Sequence, residues 1–198
     1  MTEPDTHTLD VPGATLTYDV RRPDEASDHR PLFIFGSPMG ASGFEQLVGH
    51  LGDRTLITYD PRGMDRSRRT PGSGLTAETH AEDYHRVIEA TGLGPVDAFG
   101  SSGGGMCALH WVVAHPGDTH TLVSHEPPLV TLLEDREIAI RVFADIADTY
   151  GRAGHGPAMA KFIQLVMRTS PLPGDYLDQP DPDRVSSDGA RTAAAHRE

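Results

Sequence analysis

The stretch DAFGSSGGGMCALHW, residues 97–111, decides the fold. It contains Gly-x-Ser-x-Gly with Ser102 at its centre, it follows a short apolar run, and it opens an apolar, helix-like run. A serine on a sharp turn between a strand and a helix exposes its hydroxyl, which is where a serine hydrolase carries its nucleophile. Ser101 is the competing candidate, but its frame begins with Phe99 instead of a glycine. We therefore predict that Ser102 is the nucleophile.

The segments on either side of this stretch alternate between strand-like and helix-like patterns. A hairpin is predicted for residues 7–20, turning at Pro12-Gly13, and two strands at 31–36 and 55–60 flank a helix at 41–51. A second helix is predicted for 76–92, with Thr76 as its N-cap and Gly92 as its stop. A strand at 95–100, a helix at 103–116 and a strand at 120–126 complete the series. This order predicts an α/β fold with a mostly parallel, covered sheet.

The pattern changes after residue 130. Residues 131–150 and 157–169 each read as an amphipathic helix, joined by residues 151–156, and this pair predicts a small cap or a plain helical hairpin. The apolar stripe of the first helix is formed by Leu133, Ile140, Phe143, Ala147 and Tyr150. From Pro171 onward the periodicity disappears, which predicts a disordered or loosely attached tail. The predicted divisions are a core at 1–130, a cap at 131–170 and a tail at 171–198.

Composition excludes several classes of function. A formal net charge of −12 argues against nucleic acid or an anionic membrane as the partner. The N-terminus resembles no signal peptide and no apolar run approaches a membrane span, so a cytoplasmic location is expected. The single cysteine, Cys107, is expected to be a buried, inert thiol. Nothing predicts a cofactor. Nothing predicts a metal site either, because the histidines are not spaced as the ligands of one metal ion would be. They are expected to be scattered on the surface: His80, His85, His115, His120 and His125.

Three segments in order resemble the α/β-hydrolase superfamily. FGSPMG at 35–40 is similar to the loop after its third strand, YDPRGMDRS at 59–67 to the turn after its fourth, and GSSGG at 100–104 to its nucleophile elbow. The resemblance spans about residues 7–170 and implies an α/β-hydrolase fold with flanking helices and a small helical cap. Two residues depart from the family pattern: Phe35 stands in place of a histidine, and Asp65 in place of a glycine.

The resemblance also implies a reaction. It predicts a serine hydrolase that acts on a small ester-like or related acyl substrate through Ser102. The implied oxyanion hole consists of the backbone N–H groups of Ser37 and Gly103, because Pro38 has no N–H to offer.

The remaining members of a triad are harder to place. The family usually carries its acid after the seventh strand and its histidine after the eighth, and neither strand is predicted here. Glu126 is the candidate acid, since some branches place the acid after the sixth strand; the alternative is a carboxylate that caps the turn at Pro127-Pro128. His155 is the candidate base, with His196 or a partner chain as alternatives, because the side chain of His125 should point to the opposite face.

The alternative prediction is a catalytically poor pseudoenzyme or binding scaffold that lacks the histidine. On this hypothesis the chain is a truncated or frameshifted α/β-hydrolase without its last two strands, and those strands would be encoded in another frame downstream. A sheet left open beyond its sixth strand favours a homodimer formed through the open edge.

Overall fold

The computed structural model describes residues 2–178. The chain divides into two compact units between Pro128 and Leu129. Residues 179–198, which include His196 and most of the predicted tail, lie outside the described residues. The three-part division predicted from the sequence stays a prediction.

A single mixed sheet forms the centre of the first unit. Its strands are β1 (Asp5–Val11), β2 (Ala14–Arg21), β3 (Leu32–Ser37), β4 (Leu56–Asp60), β5 (Arg68–Arg69), β6 (Val96–Ser102) and β7 (Thr119–His125). Their order is β1-β2-β4-β3-β6-β7, with the short β5 paired to β2. Neighbours among β3, β4, β6 and β7 run parallel, whereas the pairs made by β2 are antiparallel. The predicted hairpin and mostly parallel sheet are confirmed.

Three helices of the first unit are α1 (Glu45–Gly49), α2 (Ala77–Thr91) and α3 (Gly103–Ala114). The limits of α2 agree with the sequence, since the Thr79 N–H donates to Thr76 Oγ1 at 3.2 Å and Gly92 ends the helix at φ +65°. The α1 helix is shorter than predicted. It is preceded by a 3-10 turn over Ala41–Phe44, where Ser42 and Gly43 disfavour a regular helix.

Alternation along β3 supplies both hydrophobic layers of the sheet. Phe33 and Phe35 point to one face and join an aromatic cluster with Tyr59, Tyr84 and Trp111. Ile34 points to the other face, where it packs with buried residues of the α1 region. The departure at position 35 is thereby explained, because Phe35 is fully buried and contributes packing rather than hydrogen bonding.

The second unit contains α4 (Arg136–Ala153) and α5 (His155–Val166). The predicted connection at 151–156 is wrong: Gly151 lies inside α4, and the chain turns at Gly154 alone, with φ +83°. The predicted stripe is also wrong, since Leu133 precedes the helix. The buried positions are Ala139, Val142 and Thr149, whereas Ile140 and Tyr150 are exposed. A helix with apolar residues on several faces does not reveal from periodicity which face packs.

Among the strands described between residues 2 and 178, β7 lies at the end of the sheet opposite the hairpin. Beside it lies an apolar hollow of about 280 Å³ whose lining includes Phe99 and Val123, and Val123 is 51% exposed. Pairing of two copies through this edge stays a prediction. None of the helices described between residues 2 and 178 combines the length and apolar composition that a membrane span requires.

A buried ion pair ties the turn after β4 to α2. Arg62 donates to both carboxylate oxygens of Asp83 at 2.7 and 2.6 Å, and both side chains are almost inaccessible to solvent. Arg62 also donates to the Pro12 carbonyl oxygen at 3.4 Å. A two-pronged guanidinium–carboxylate contact fixes orientation as well as distance, so this pair holds the hairpin, the turn and the helix in register.

Replacing Arg62 by Met is expected to lower the free energy of unfolding by about 3–5 kcal/mol, because the Asp83 carboxylate is left buried and unpaired. Urea unfolding measures this loss. Arg86→Met is the control, because Arg86 pairs with Glu82 at the surface of α2 and such pairs contribute about 0.3–0.5 kcal/mol. The double variant Arg62→Met/Asp83→Leu should recover part of the loss. Equal losses for Arg62→Met and Arg86→Met would contradict this account.

Burial of His80 on α2 makes stability depend on pH. Its side chain is 6% exposed, and removal from water lowers the pKa of its imidazole below the ordinary value. Below about pH 6.5 the unfolded chain therefore binds a proton at His80 that the folded chain does not, so stability falls as the pH drops. Urea unfolding at pH 7.5 and 5.5 should show a smaller drop for His80→Gln than for the wild type. His110→Gln, at a half-exposed site on α3, should keep the full drop, and a full drop in His80→Gln would contradict the assignment.

Candidate active site

Ser102 occupies a sharp turn between β6 and α3. Its backbone has φ +54° and ψ −126°, a conformation that non-glycine residues rarely adopt. It ends β6, Gly103 begins α3, and the side chain of Ser102 is exposed. A strained backbone held at this junction matches the geometry predicted from the sequence, and strain of this kind collects at functional sites.

Glycines around Ser102 allow three backbone segments to meet. A Cβ atom on Gly104 would lie 2.8 Å from the backbone of Gly36, and one on Gly100 would lie 2.9 Å from the Phe35 ring and 3.0 Å from Gly105 Cα. Real Cβ atoms do not approach so closely. The start of α3 therefore packs directly against the end of β3, and only glycine fits there.

This packing of α3 against β3 places Ser37 beside Ser102. Ser37 is the last residue of β3 and the register partner of Ser102, and its carbonyl oxygen would lie 2.9 Å from a Cβ atom on Gly103. Ser37 is followed by Pro38 through a cis peptide bond. The backbones of Ser37 and Gly103, the two predicted oxyanion donors, are thus neighbours. Their role in catalysis stays a prediction.

Glu126 follows β7 directly, at the same edge of the sheet. It is exposed and has φ +47°, which makes it, like Ser102, one of the few non-glycine residues here with a left-handed backbone. Because Ser101 and His125 are register partners, Glu126 comes one residue beyond the pair, as Ser102 does on β6. The carboxyl ends of parallel strands therefore bring the candidate acid and the candidate nucleophile to one edge.

The structure pairs His125 with Ser101 rather than with Ser102. His125 Nδ1 lies 3.3 Å from Ser101 Oγ, and its ring stacks on Phe99 at 5.6 Å between centroids. The His125 side chain thus lies on the Ser101 face, as the alternation of the strand predicts. No local sequence pattern reveals this contact, because the parallel register of β6 and β7 creates it.

The predicted histidine bases lie elsewhere in the chain. His155 is the first residue of α5 in the second unit and is exposed, so the prediction that it lies between the two helices is wrong, since the turn is confined to Gly154. His196 lies outside the described residues. Within residues 2–128, no side chain makes a hydrogen bond with Ser102 Oγ.

A network of charged side chains holds the loop after β3 in place. Asp60, at the end of β4, accepts hydrogen bonds from the Ala41 N–H at 2.8 Å and from Arg66 Nε at 2.6 Å. Arg66 also donates to both carboxylate oxygens of Asp19. Burial alone would raise the pKa of Asp19, but its hydrogen bonds with Arg66 and Thr6 hold it below the ordinary value.

Asp65, the second departure from the family pattern, takes φ +43°, where glycine is ordinarily preferred.

Cys107 is not a second nucleophile. It is buried on α3, and removal from water raises the pKa of its thiol to about 11. The thiolate, which is the reactive form, is therefore scarce at neutral pH. The expectation of an inert thiol agrees with this environment.

The model of the alpha/beta hydrolase fold family matches residues 32–193 of the sequence. The chain belongs to this family. It is 36% identical over 133 residues to an uncharacterized hydrolase, YraK, of Bacillus subtilis (strain 168), in a match that covers 66% of this chain and 48% of YraK. The chain therefore spans about half the length of that relative.

A solved structure is also similar. The proline iminopeptidase of Mycobacterium smegmatis has a TM-score of 0.58 and 25% sequence identity, over 88% of this chain and 65% of that one. The sequence-based recognition of the family and of its fold is thereby confirmed.

Gly104→Ala is expected to lower the free energy of unfolding by about 1–3 kcal/mol, because the added methyl group meets the backbone of Gly36 rather than a mobile side chain. Gly52→Ala is the matched control, since a Cβ atom there meets nothing within 4 Å. Urea unfolding of both variants measures the difference. If both variants unfold alike, the close contact between α3 and β3 does not limit stability.

Proposed function

We propose that the chain is a serine hydrolase that cleaves a small ester-like or related acyl substrate through Ser102. The observation that carries the proposal is the left-handed backbone of Ser102, held by close-packed glycines at the junction of β6 and α3. A strained, exposed serine at a helix start is costly to maintain and has no packing role. Membership in a hydrolase family supports the same conclusion.

In the first step, Ser102 Oγ attacks the carbonyl carbon of the substrate and loses its proton to a general base. The carbonyl oxygen becomes an oxyanion, which accepts hydrogen bonds from the backbone N–H groups of Ser37 and Gly103. The start of α3 adds a favourable dipole at that point. The tetrahedral intermediate then collapses, and the protonated base gives its proton to the leaving alcohol or amine.

In the second step, a water molecule attacks the acyl group on Ser102. The base accepts the proton of this water, a second oxyanion forms in the same place, and Ser102 leaves with the proton returned to it. The products are a carboxylic acid and the free enzyme.

The proposal assigns the general base to His155 and the acid that orients it to Glu126. Glu126 is supported by its position one residue beyond β7, at the sheet edge that carries Ser102. His155, the exposed first residue of α5, is carried over as the base expected from the sequence. His196 and a histidine of a second copy are the remaining candidates.

A second candidate function is a scaffold that binds a ligand at the elbow without efficient turnover. The absence of a hydrogen-bonded base for Ser102 within residues 2–128 favours it. Loss of a triad member typically leaves only about 10³–10⁴-fold acceleration over water, which arises from the oxyanion hole and binding.

Labelling of the purified chain with a fluorophosphonate probe tests the proposal. This probe reacts only with an activated serine, so the wild type should be labelled and Ser102→Ala should not. Ser101→Ala is the matched control, because it removes the neighbouring hydroxyl and the contact with His125 but keeps Ser102. Labelling should persist in this control.

His155→Gln identifies the base. Loss of labelling by a folded His155→Gln variant would support the assignment, and unchanged labelling would transfer it to another histidine. A folded wild type that takes no label would favour the scaffold. Labelling lost in Ser101→Ala and kept in Ser102→Ala would make Ser101 the nucleophile.

A further inference from the structure

Two histidines that are far apart in sequence stack on each other in the first unit. The imidazole rings of His85, on α2, and His115, just after α3, lie 3.8 Å apart between centroids with only 6° between their planes. The two side chains are 25% and 21% exposed. They are therefore sheltered but open to small solutes, and the expectation that these histidines are scattered is wrong.

Carboxylates flank both rings. Asp118 Oδ2 lies 2.8 Å from His85 Nδ1, and Glu82 Oε1 lies 2.8 Å from His115 Nε2. The hydrogen bond between His115 and Glu82 helps to hold the pKa of this carboxyl below its ordinary value. Glu89 Oε2 is 3.8 Å from His85 Nε2. Three carboxylates thus surround the two rings, and imidazole nitrogens together with carboxylate oxygens are the donors that a metal cation favours.

The position of Asp118 is fixed from the core. Trp111 is fully buried, and its indole N–H donates to Asp118 Oδ2 at 2.8 Å. A hydrogen bond of this kind orients a carboxylate before a metal arrives, as the outer partners of metal ligands generally do. The carboxylate thus stays beside the two rings without a metal.

The distances suit a first-row divalent metal ion. One nitrogen of each histidine and one oxygen of Asp118 lie within 4.8 Å of one another. In a tetrahedral zinc site, bonds of about 2.0–2.1 Å separate neighbouring ligand atoms by about 3.3 Å. The lone pair of an imidazole nitrogen lies in the ring plane, so metal binding also requires the two parallel rings to turn out of their stack. Rotation of the two histidine side chains supplies both this turn and the contraction.

We propose that His85, His115 and Asp118 form a zinc site that joins α2 to the connection between α3 and β7, with a water molecule as the fourth ligand. The imidazole and carboxylate donors are those that zinc accepts in proteins. The site lies before the start of β7, whereas Ser102 lies at the carboxyl end of its parallel neighbour β6. The two sites are therefore at opposite edges of the sheet, and this proposal does not rest on the proposed function.

Calorimetric titration of the untagged, chelator-treated full chain with zinc chloride at pH 7.5 tests the site. We expect one tightly bound zinc ion per chain, which should also raise the thermal unfolding midpoint. His115→Gln and His85→Gln should each weaken this binding at least tenfold and abolish the shift of the midpoint. Circular dichroism of both variants without zinc checks that each one folds.

His120→Gln is the matched control. His120 is an exposed histidine close in sequence that contacts Thr121 and Asp97 instead of the cluster. Its variant should bind zinc as the wild type does. The proposal is overturned if the wild type shows no saturable zinc binding, or if folded His115→Gln and His85→Gln bind zinc as tightly as His120→Gln.

Discussion

The close approach of α3 to the end of β3 is the contact on which the rest of the first unit depends. It requires glycine at position 104, since a Cβ atom there would meet the backbone of Gly36. Because the two backbones touch, Ser102 is forced into its left-handed conformation and the backbone of Ser37 is carried next to that of Gly103. The candidate nucleophile and the two candidate oxyanion donors thus follow from one steric constraint.

Two groups of charged side chains hold this arrangement in place. Asp60 accepts from the Ala41 N–H and from Arg66, which fixes the segment after β3 to the turn after β4. The Arg62–Asp83 pair then fixes that turn to α2. These contacts are directional, so they set the positions of loops that the hydrophobic core alone would leave variable. The aromatic cluster around Phe35 packs the face of the sheet to which Phe33 and Phe35 point.

Much of the fold could be predicted because the signals are local. The Thr76 cap and the Gly92 stop define α2, and the continuous apolar run of β3 predicts a strand in a covered sheet. Prediction failed where a helix offers more than one apolar face, as in α4, where Ala139 and Val142 are buried and Ile140 is not. It also failed at His155, because Gly151 is tolerated inside a helix while Gly154 turns the chain. Neither outcome is visible in periodicity, since both depend on packing partners.

The sequence by itself determined the strand and helix order, the family, and Ser102 as the candidate nucleophile, because glycine spacing and apolar runs act between neighbouring residues. Only the tertiary structure decided which distant side chains meet. The parallel register of β6 and β7 brings His125 to Ser101, and the packing of α2 beside α3 stacks His85 on His115. These contacts join residues 24 and 30 positions apart, and no local pattern encodes them. Register and helix packing are set by the whole core, so the chemistry they create becomes readable only after the chain has folded.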